Sequence, residues 1–166
     1  THSTAATEQA SQSIGTQIGG GNVNIMARTV RGEGTTVIAD RDINIIGTQD
    51  VTLTTAQDRF SSTRSTSQSD SGFMTNGPTS VSYGERGQSS TQSVASTTAV
   101  GSTVAALKGN INITAGNVAT VTGSQLLTPE GSIDVKAKRI VIDEARQTQE
   151  QTVTTRTYQS GITASV

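Results

Sequence analysis

The chain has 166 residues, of which 31% are hydrophobic and 2% aromatic, with a formal net charge of −1 and no cysteine. So few aromatic side chains make a poor globular core, and the near-neutral charge excludes the basic surface that binds nucleic acids or anionic membranes. The lack of cysteine excludes disulfides and thiol chemistry, and no apolar run reaches the roughly 20 residues of a membrane-spanning helix. We therefore predict no nucleic-acid partner and no cofactor.

Residues 14–59 form a first block of short apolar pairs separated by Gly, Asn and Asp, which is typical of strands joined by turns. Apolar and polar side chains alternate in Asn22-Val23-Asn24-Ile25, so the aliphatic ones share one face. Val23 and Ile43 lie 20 residues apart. A coil of that length lets them stack at ~4.8 Å spacing, as in a parallel β-helix. The apolar pairs of the block are Ile14/Ile18, Val23/Ile25, Val37/Ile38, Ile43/Ile45 and Val51/Leu53.

Residues 60–99 differ in composition, because Ser, Thr and Gln alternate with little that could be buried. We predict a polar excursion here, either a flexible loop or a polar antiparallel hairpin. The candidate turns of the hairpin are Asn76-Gly77-Pro78 and Tyr83-Gly84-Glu85-Arg86-Gly87. Residues 1–13 have the same texture, and we expect them to be the returning half of a preceding arm.

Residues 100–148 repeat the first block. Ile14-Gly15-Thr16 returns as Val100-Gly101-Ser102, an offset of 100 − 14 = 86 residues. Val51-Thr52-Leu53 returns as Ile140-Val141-Ile142, and Ser71-Gly72-Phe73 as Ser160-Gly161-Ile162, an offset of 140 − 51 = 89 residues. Ile111 and Ile133 lie 22 residues apart, which predicts a second stacked pair. Residues 149–166 resemble the outgoing half of a later arm. The sequence thus predicts an all-β repeat fragment across 1–166, with two core modules and one complete arm.

Four carboxylates in the first block are the candidates for acid–base chemistry, because parallel β-helices can carry polysaccharide hydrolases or lyases. However, Asp40 and Asp42 flank Arg41 at a turn, where Asx turns and solvated pairs are ordinary. We therefore predict no catalytic residue. The four are Asp40, Asp42, Asp50 and Asp58, with a partial counterpart at Asp134.

Two further motifs are weaker candidates. His2 is the single histidine, and a zinc site needs several ligands, so we predict no metal site. The segment Gly19-Gly20-Gly21-Asn22 could cradle a phosphate, but no Lys-Ser/Thr pair and no helical pattern follow it. A tight turn between coils is the favoured interpretation.

Asparagine and arginine side chains offer two more possibilities. Asparagines at the repeated motif could form polar ladders along the coils, but we favour ordinary turn and outward-facing positions. These are Asn22, Asn24, Asn110 and Asn112. Arg59, Arg64 and Arg156 could contact lipopolysaccharide phosphates, yet isolated arginines in polar strands usually prevent edge pairing.

The order of motifs resembles the haemagglutinin repeats of filamentous-haemagglutinin-type exoproteins. The resemblance rests on Gly21-Asn22-Val23-Asn24-Ile25, on Asp42-Ile43-Asn44-Ile45 and on Asp50-Val51-Thr52-Leu53, with counterparts at Gly109-Asn110-Ile111 and Gly131-Ser132-Ile133. The sequence departs from the pattern at Pro129 and at Arg139-Ile140-Val141-Ile142, which leaves the register of that last strand open.

The resemblance implies a right-handed parallel β-helical stalk, secreted to the surface of a Gram-negative cell and associated with its outer membrane. It further implies export by an outer-membrane two-partner secretion transporter and contact with a target-cell envelope or receptor. Repeats with a polar excursion such as 60–99 are similar to those of contact-dependent growth-inhibition effectors, which deliver a toxin. We therefore predict a non-enzymatic segment for toxin delivery or adhesion, able to self-associate through open β-helix ends. A carbohydrate-active enzyme and a purely adhesive segment are the alternatives.

Overall fold

The computed structural model describes residues 1–75 and 80–165, and within these two stretches the chain is all-β without any helix. None of the described residues therefore forms a helix that could cross a membrane. The strands are β1 (His2–Ser11), β2 (Gln17–Gly20), β3 (Val23–Glu33), β4 (Thr36–Ala39), β5 (Ile43–Thr54), β6 (Ala56–Thr75), β7 (Ser80–Val100), β8 (Thr103–Ala106), β9 (Ile111–Ala115), β10 (Val118–Thr122), β11 (Gln125–Leu127), β12 (Ile133–Lys136), β13 (Arg139–Asp143) and β14 (Thr148–Ser165).

The chain divides into two compact units. The core unit comprises Ser11–Arg59 and Thr97–Thr148. The arm unit comprises the described residues of Thr1–Ala10, Phe60–Ser96 and Gln149–Val166.

The core unit is a curled arrangement of three columns of parallel strands. The first column contains β2, β4, β8 and β11. The second contains the first halves of β3 and β5 followed by β9 and β12, and the third contains their second halves followed by β10 and β13. The described chain visits the columns in this order repeatedly, which gives coil 1 (17–33), coil 2 (36–54), coil 3 (103–122) and coil 4 (125–143).

The register of these coils follows the spacing of the aliphatic residues. Val23 pairs with Ile43, Ile43 with Ile111, and Ile111 with Ile133. The predicted stacking of Val23 on Ile43 and of Ile133 on Ile111 is therefore confirmed. The register of β13, which the sequence left open, also follows the stack. Ile140 pairs with Ala119, and Ala119 pairs with Val51.

The interior of the core unit is aliphatic because alternate side chains of every strand point inward. Ile43, Ile45, Ile111 and Ile113 are each at most 1% exposed, and burying such a side chain contributes roughly 1.5–3 kcal/mol. In coil 4 the equivalent Ile133 is 44% exposed, because no described strand covers that side. Ile14, by contrast, is 96% exposed and does not belong to the core.

Glycines shape the corners between the third and the first column. Gly34 and Gly123 have φ angles of 55° and 51°, a left-handed conformation that side chains with a Cβ adopt only at a cost. A Cβ on Gly34 would lie 2.8 Å from the Cβ of Ala56. Both glycines mark the places where one coil passes directly into the next, from coil 1 to coil 2 and from coil 3 to coil 4.

The arm unit contains a four-stranded sheet with the order β1-β6-β7-β14. The backbones of Thr1 and Ser69 exchange both of their hydrogen bonds, which is the signature of an antiparallel pair. Thr63 faces Ser93 across β6 and β7. The proposed turn at Tyr83–Gly87 is wrong, because these residues lie inside β7, where the glycines give room to β14. A Cβ on Gly84 would overlap the backbone of Ser160, and one on Gly87 would overlap the ring of Tyr158. The alternative turn at Asn76–Pro78 lies outside the described residues.

Candidate functional site: polar ladders and the arm sheet

A ladder of asparagine amides runs along the second column. The Nδ2 of Asn44 donates to Oδ1 of Asn24 at 2.8 Å, and the Nδ2 of Asn112 donates to Oδ1 of Asn44 at 3.0 Å. Each amide can both donate and accept, so the chain of bonds continues from coil to coil at the strand spacing. The ladder ends at Asp134, the register partner of Asn112, because a carboxylate has no proton to donate.

A second ladder lies at the corner before the second column. There the side-chain oxygen of each coil accepts the backbone N–H of the equivalent residue one coil further on. Asp42 N donates to Asn22 Oδ1 at 3.2 Å, and Asn110 N donates to Asp42 Oδ1 at 2.8 Å. Ser132 N then donates to Asn110 Oδ1 at 2.9 Å. The asparagines do occupy turn and outward-facing positions, but ladder formation, the less favoured prediction, is confirmed.

Other candidate carboxylates also accept hydrogen bonds from backbone N–H groups. Asp50 accepts a hydrogen bond from the N–H of Val118 at 3.2 Å, and Asp58 accepts one from the N–H of Ser13 at 2.7 Å. Asp42, Asp50 and Asp58 thus each accept a hydrogen bond from a main-chain donor on a neighbouring segment, which is a structural role. Among residues 1–75 and 80–165, no group of three or more His, Asp or Glu side chains could hold a metal ion.

Ser102 is the buried hydroxyl of the core unit and closes the corner between coil 2 and coil 3. Its side chain is fully buried, and Oγ donates to the carbonyl of Thr54 at 2.8 Å while accepting from the N–H of Thr35 at 3.0 Å. Its own N–H donates to Ser124 Oγ at 3.3 Å. The sequence signal for this site is the repeated Gly-Thr/Ser pair, which occurs at Gly15, Gly34, Gly101 and Gly123.

The glycine segment and the histidine occupy ordinary positions. The carbonyl groups of Gly20 and Gly21 accept hydrogen bonds from the N–H groups of Asp40 and Arg41, so the segment forms a corner between coils. His2 lies on the exposed strand β1, where its Nε2 is 3.4 Å from Oγ1 of Thr4.

The arginines of the arm sheet do not converge. Ser65 faces Thr91 across β6 and β7, and Tyr158 of β14 covers Gly87 of β7. Because side chains alternate between faces, this register places Arg64 and Arg156 on opposite faces of the sheet. A shared anion site of these two residues is therefore excluded. Arg59 donates to Gln57 Oε1 at 3.2 Å.

One face of the arm sheet forms a polar groove of about 550 Å³. Residues on β6, β7 and β14 line it, including Asp70, Arg86, Gln88 and Gln159. On this sheet Tyr158 Oη also donates to Glu85 Oε1 at 3.0 Å. This hydrogen bond, with some burial and the charge of the carboxylate, raises the pKa of Tyr158 above its ordinary value.

The repeat structure is matched by a known family. The family described as Hemagglutinin repeat matches residues 1–84 and again residues 81–166, which together span the chain. The chain belongs to the hemagglutinin repeat family. The resemblance to the haemagglutinin repeats of filamentous-haemagglutinin-type exoproteins is thereby confirmed. Two tandem matches also agree with the twofold repetition of coils and arms.

Relatives of known name share this region at moderate identity. Deoxyribonuclease CdiA of Yersinia pseudotuberculosis is 30% identical over 88% of the chain. A tRNA nuclease CdiA of Burkholderia pseudomallei is 32% identical over 97%, and Toxin CdiA of Yersinia pestis is 28% identical over 92%. The chain spans 14%, 12% and 5% of the length of these relatives, respectively. It is a segment of a large exoprotein of the contact-dependent-inhibition and adhesin type. No solved structure matches the chain.

Sequence reasoning missed two features of this hemagglutinin repeat. The middle member of the amide ladder, Asn44, was not singled out, although its motif Asn-Ile matches those of Asn24 and Asn112. The Tyr158 and Glu85 pair was also missed, because it joins residues 73 positions apart on different strands. No local pattern connects two such residues, whereas the register of the repeated arms does.

Proposed function

We propose that this chain is a non-enzymatic stalk segment of a contact-dependent growth-inhibition exoprotein, and that the stalk serves the delivery of a toxin to a target cell. The observation that carries the proposal is the stack of coils in parallel register over one aliphatic interior. Backbone hydrogen bonds join each coil of such a stack to its neighbours. This architecture is suited to holding another domain away from the cell surface rather than to forming a catalytic cleft. The nucleases and the toxin in the relatives' names belong to proteins several times longer than this chain.

The fold of the stalk is, in this proposal, a right-handed parallel β-helix. Parallel strands joined by a crossover are right-handed in about 98% of cases, and the successive strands of each column are joined in this manner. Residues 14–59 and 100–148 are two core modules, and 60–99 is the arm between them. Residues 1–13 are the end of a preceding arm, and 149–166 the start of a following one. The two compact units support this division.

Export and folding of the stalk are coupled. Each coil offers a hydrogen-bonding edge and an aliphatic row, such as Ile43 and Ile45, on which the following coil can form. A chain leaving an outer-membrane two-partner secretion transporter would therefore fold outside the cell without ATP. In this proposal the segment lies at the surface of a Gram-negative cell, is associated with the outer membrane, and contacts a target-cell envelope or receptor.

Replacing residues 60–99 with a short Gly/Ser linker in the full-length exoprotein tests the division of roles. We expect the coils to remain folded, because their register partners lie in 17–54 and 103–143. Delivery, measured as inhibition of target cells in co-culture, should be lost while the protein still reaches the surface. A matched substitution of Ile43→Asp should instead prevent folding. Normal inhibition by the linker variant would contradict a role of the arm in delivery.

Adhesion is the second candidate function. The observation that favours it is the polar groove on the arm sheet, where Arg86, Asp70 and several glutamines present hydrogen-bonding groups to solvent. If the groove contacts a target surface, R86A/Q88A should reduce the binding of purified protein to target cells. The matched variant S89A, on the opposite face of β7, should bind normally. Equal binding by both variants would leave the groove without an adhesive role.

A further inference from the structure

Aromatic side chains surround one carboxylate on the arm sheet. The rings of Phe73 on β6 and Tyr83 on β7 lie with their centroids 5.0 Å apart and their planes tilted by 59°. Glu85 is the next residue of β7 on the same face, roughly 6.8 Å further along the strand. On its other side, the ring of Tyr158 covers Gly87, and the Tyr158 hydroxyl donates to Glu85 Oε1 at 3.0 Å. The carboxylate of Glu85 therefore lies between rings on both sides.

The carboxylate is open to solvent because the side chains beside it are small. The register of the three strands places Ser71 of β6 and Ser160 of β14 next to Glu85. Tyr83 is 62% exposed and Tyr158 is 50% exposed. Strand β7 is paired on both sides, with β6 and with β14, so a further strand at either edge of the sheet would leave Glu85 uncovered.

The charge of Glu85 has no ionic partner among residues 1–75 and 80–165. The two ion pairs of these residues are formed elsewhere, by Arg31 with Glu33 and by Lys136 with Asp134. The neighbouring Arg86 points to the opposite face, where it lines the polar groove. The hydroxyl of Tyr158 is bonded to the carboxylate but is uncharged. The site thus combines an uncompensated negative charge with exposed aromatic rings.

We propose that this face of the arm sheet binds an arginine side chain of a partner protein, with the guanidinium group on the carboxylate of Glu85 and its flat side against the ring of Tyr83. Arginine fits both parts of the site, because its planar guanidinium pairs with a carboxylate through two hydrogen bonds and also stacks on aromatic rings. A cation over an aromatic ring is further attracted by the negative face of the ring. The site lies on the face opposite the polar groove and does not depend on the adhesive role of that groove.

The arrangement favours a protein partner over a membrane. The apolar side chains form a single row across the sheet, and the next row is polar. A bilayer that took up the rings would have to accommodate the carboxylate one row away, and anionic lipids would repel it. An arginine needs only one ring and one carboxylate. The apolar row is Phe73, Tyr83 and Ile162, and the polar row is Ser71, Glu85 and Ser160.

Tyrosine fluorescence tests the proposal directly, because the chain has no tryptophan and its two tyrosines, Tyr83 and Tyr158, both belong to the site. The probe is acetyl-Gly-Arg-Gly-amide at constant ionic strength, and the same peptide with citrulline is the uncharged control of equal shape. We expect a saturable change with a Kd of about 10 mM for the arginine peptide and no saturation with the citrulline peptide. Identical responses to the two peptides would overturn the proposal.

Three variants separate the charge from the ring. Glu85→Gln retains the size of the side chain without its charge, and Tyr83→Leu retains apolar bulk without a ring. We expect each to weaken binding about threefold or more, with an unchanged circular dichroism spectrum. The matched control Glu150→Gln removes the same charge at the other end of β14 and should bind as the wild type does. Wild-type binding by E85Q, or an equal loss in E150Q, would refute the site.

The ionisation of Tyr158 provides a second readout. A guanidinium bound at Glu85 places a positive charge beside the phenol, so the arginine peptide should lower the pKa of Tyr158 in a Tyr83→Phe chain, and the citrulline peptide should not. Co-sedimentation with vesicles of phosphatidylethanolamine and phosphatidylglycerol tests the membrane alternative. Binding to these vesicles without any response to the arginine peptide would replace the protein partner with a lipid surface and overturn the proposal.

Discussion

Truncation of Ile43 measures how much of the stability comes from the stacked coils. Its side chain is fully buried between Val23 and Ile111. Ile43→Ala removes the equivalent of three methylene groups, about 2.4 kcal/mol at ~0.8 kcal/mol each. The neighbouring coils are held by backbone bonds on both sides and cannot close the gap, so a cavity adds to the loss. We expect a decrease of about 3.5 kcal/mol in the free energy of unfolding.

Ile133→Ala is the matched control, because Ile133 occupies the same column and is 44% exposed. Because Ile133 is only about half buried, its truncation loses about half of the transfer free energy that is lost at Ile43. The open side leaves no closed cavity, so we expect the free energy of unfolding to decrease by about 1.3 kcal/mol. Urea unfolding followed by β-sheet circular dichroism measures both variants. At roughly 2–4 °C per kcal/mol, the difference is a gap of about 4–9 °C in Tm. Equal losses would refute the continuous interior as the main source of stability.

Three other predictions concern polar groups and the corners. Asn44→Ala should cost about 1–2 kcal/mol in unfolding free energy, because it leaves the amides of two neighbouring coils without their partner. Gly34→Ala should cost about 2 kcal/mol or more, since it combines a positive φ with a clash, and calorimetry would detect the lower Tm. In a Tyr83→Phe background, ultraviolet titration should show Tyr158 ionising above its ordinary pKa of about 10, and Glu85→Gln should lower that pKa.

Each of these predictions has a clear contrary outcome. Thr52→Ala, at an outward position of the same strand, is the control for the ladder, and equal costs would show that the amide bonds contribute nothing. Gly19→Ala should be tolerated, because its nearest neighbour lies at an ordinary 3.8 Å. The raised pKa of Tyr158 implies a stability contribution that is complete below pH about 10 and is lost as the pH rises through the folded-state value. A flat stability profile above pH 10 would contradict that coupling.

The sequence predicted the core because its information there is local and periodic. The alternation around Val23 and the 20-residue distance to Ile43 together fix which residues point inward and which stack. The burial of Ile14 could not be judged in the same way, since its apolar character says nothing about whether it lies beside the coils or within them. It lies at the corner before coil 1 and is exposed.

The arm was harder to predict because its strands lack an apolar face. Both turn candidates contain glycine, and only the pairing of Thr63 with Ser93 shows that Gly84 and Gly87 belong to a strand. These glycines instead provide room for the neighbouring strand, as Tyr158 over Gly87 shows. The polar ladders were also underestimated, because an asparagine at a turn looks the same in sequence whether or not it bonds the next coil.

The left-handed glycines have a consequence for how such chains can diversify. Gly34 and Gly123 stand where the chain turns without interruption, whereas Gly15 and Gly101 stand where it returns after an arm. A Thr or Ser follows each of these four glycines. A hydroxyl side chain is therefore present at the corner whether two residues or more than forty separate the coils. Insertions and deletions at every second corner can therefore change the length of an appendage while the scaffold beneath retains its spacing. Relatives should differ most in the lengths of these appendages.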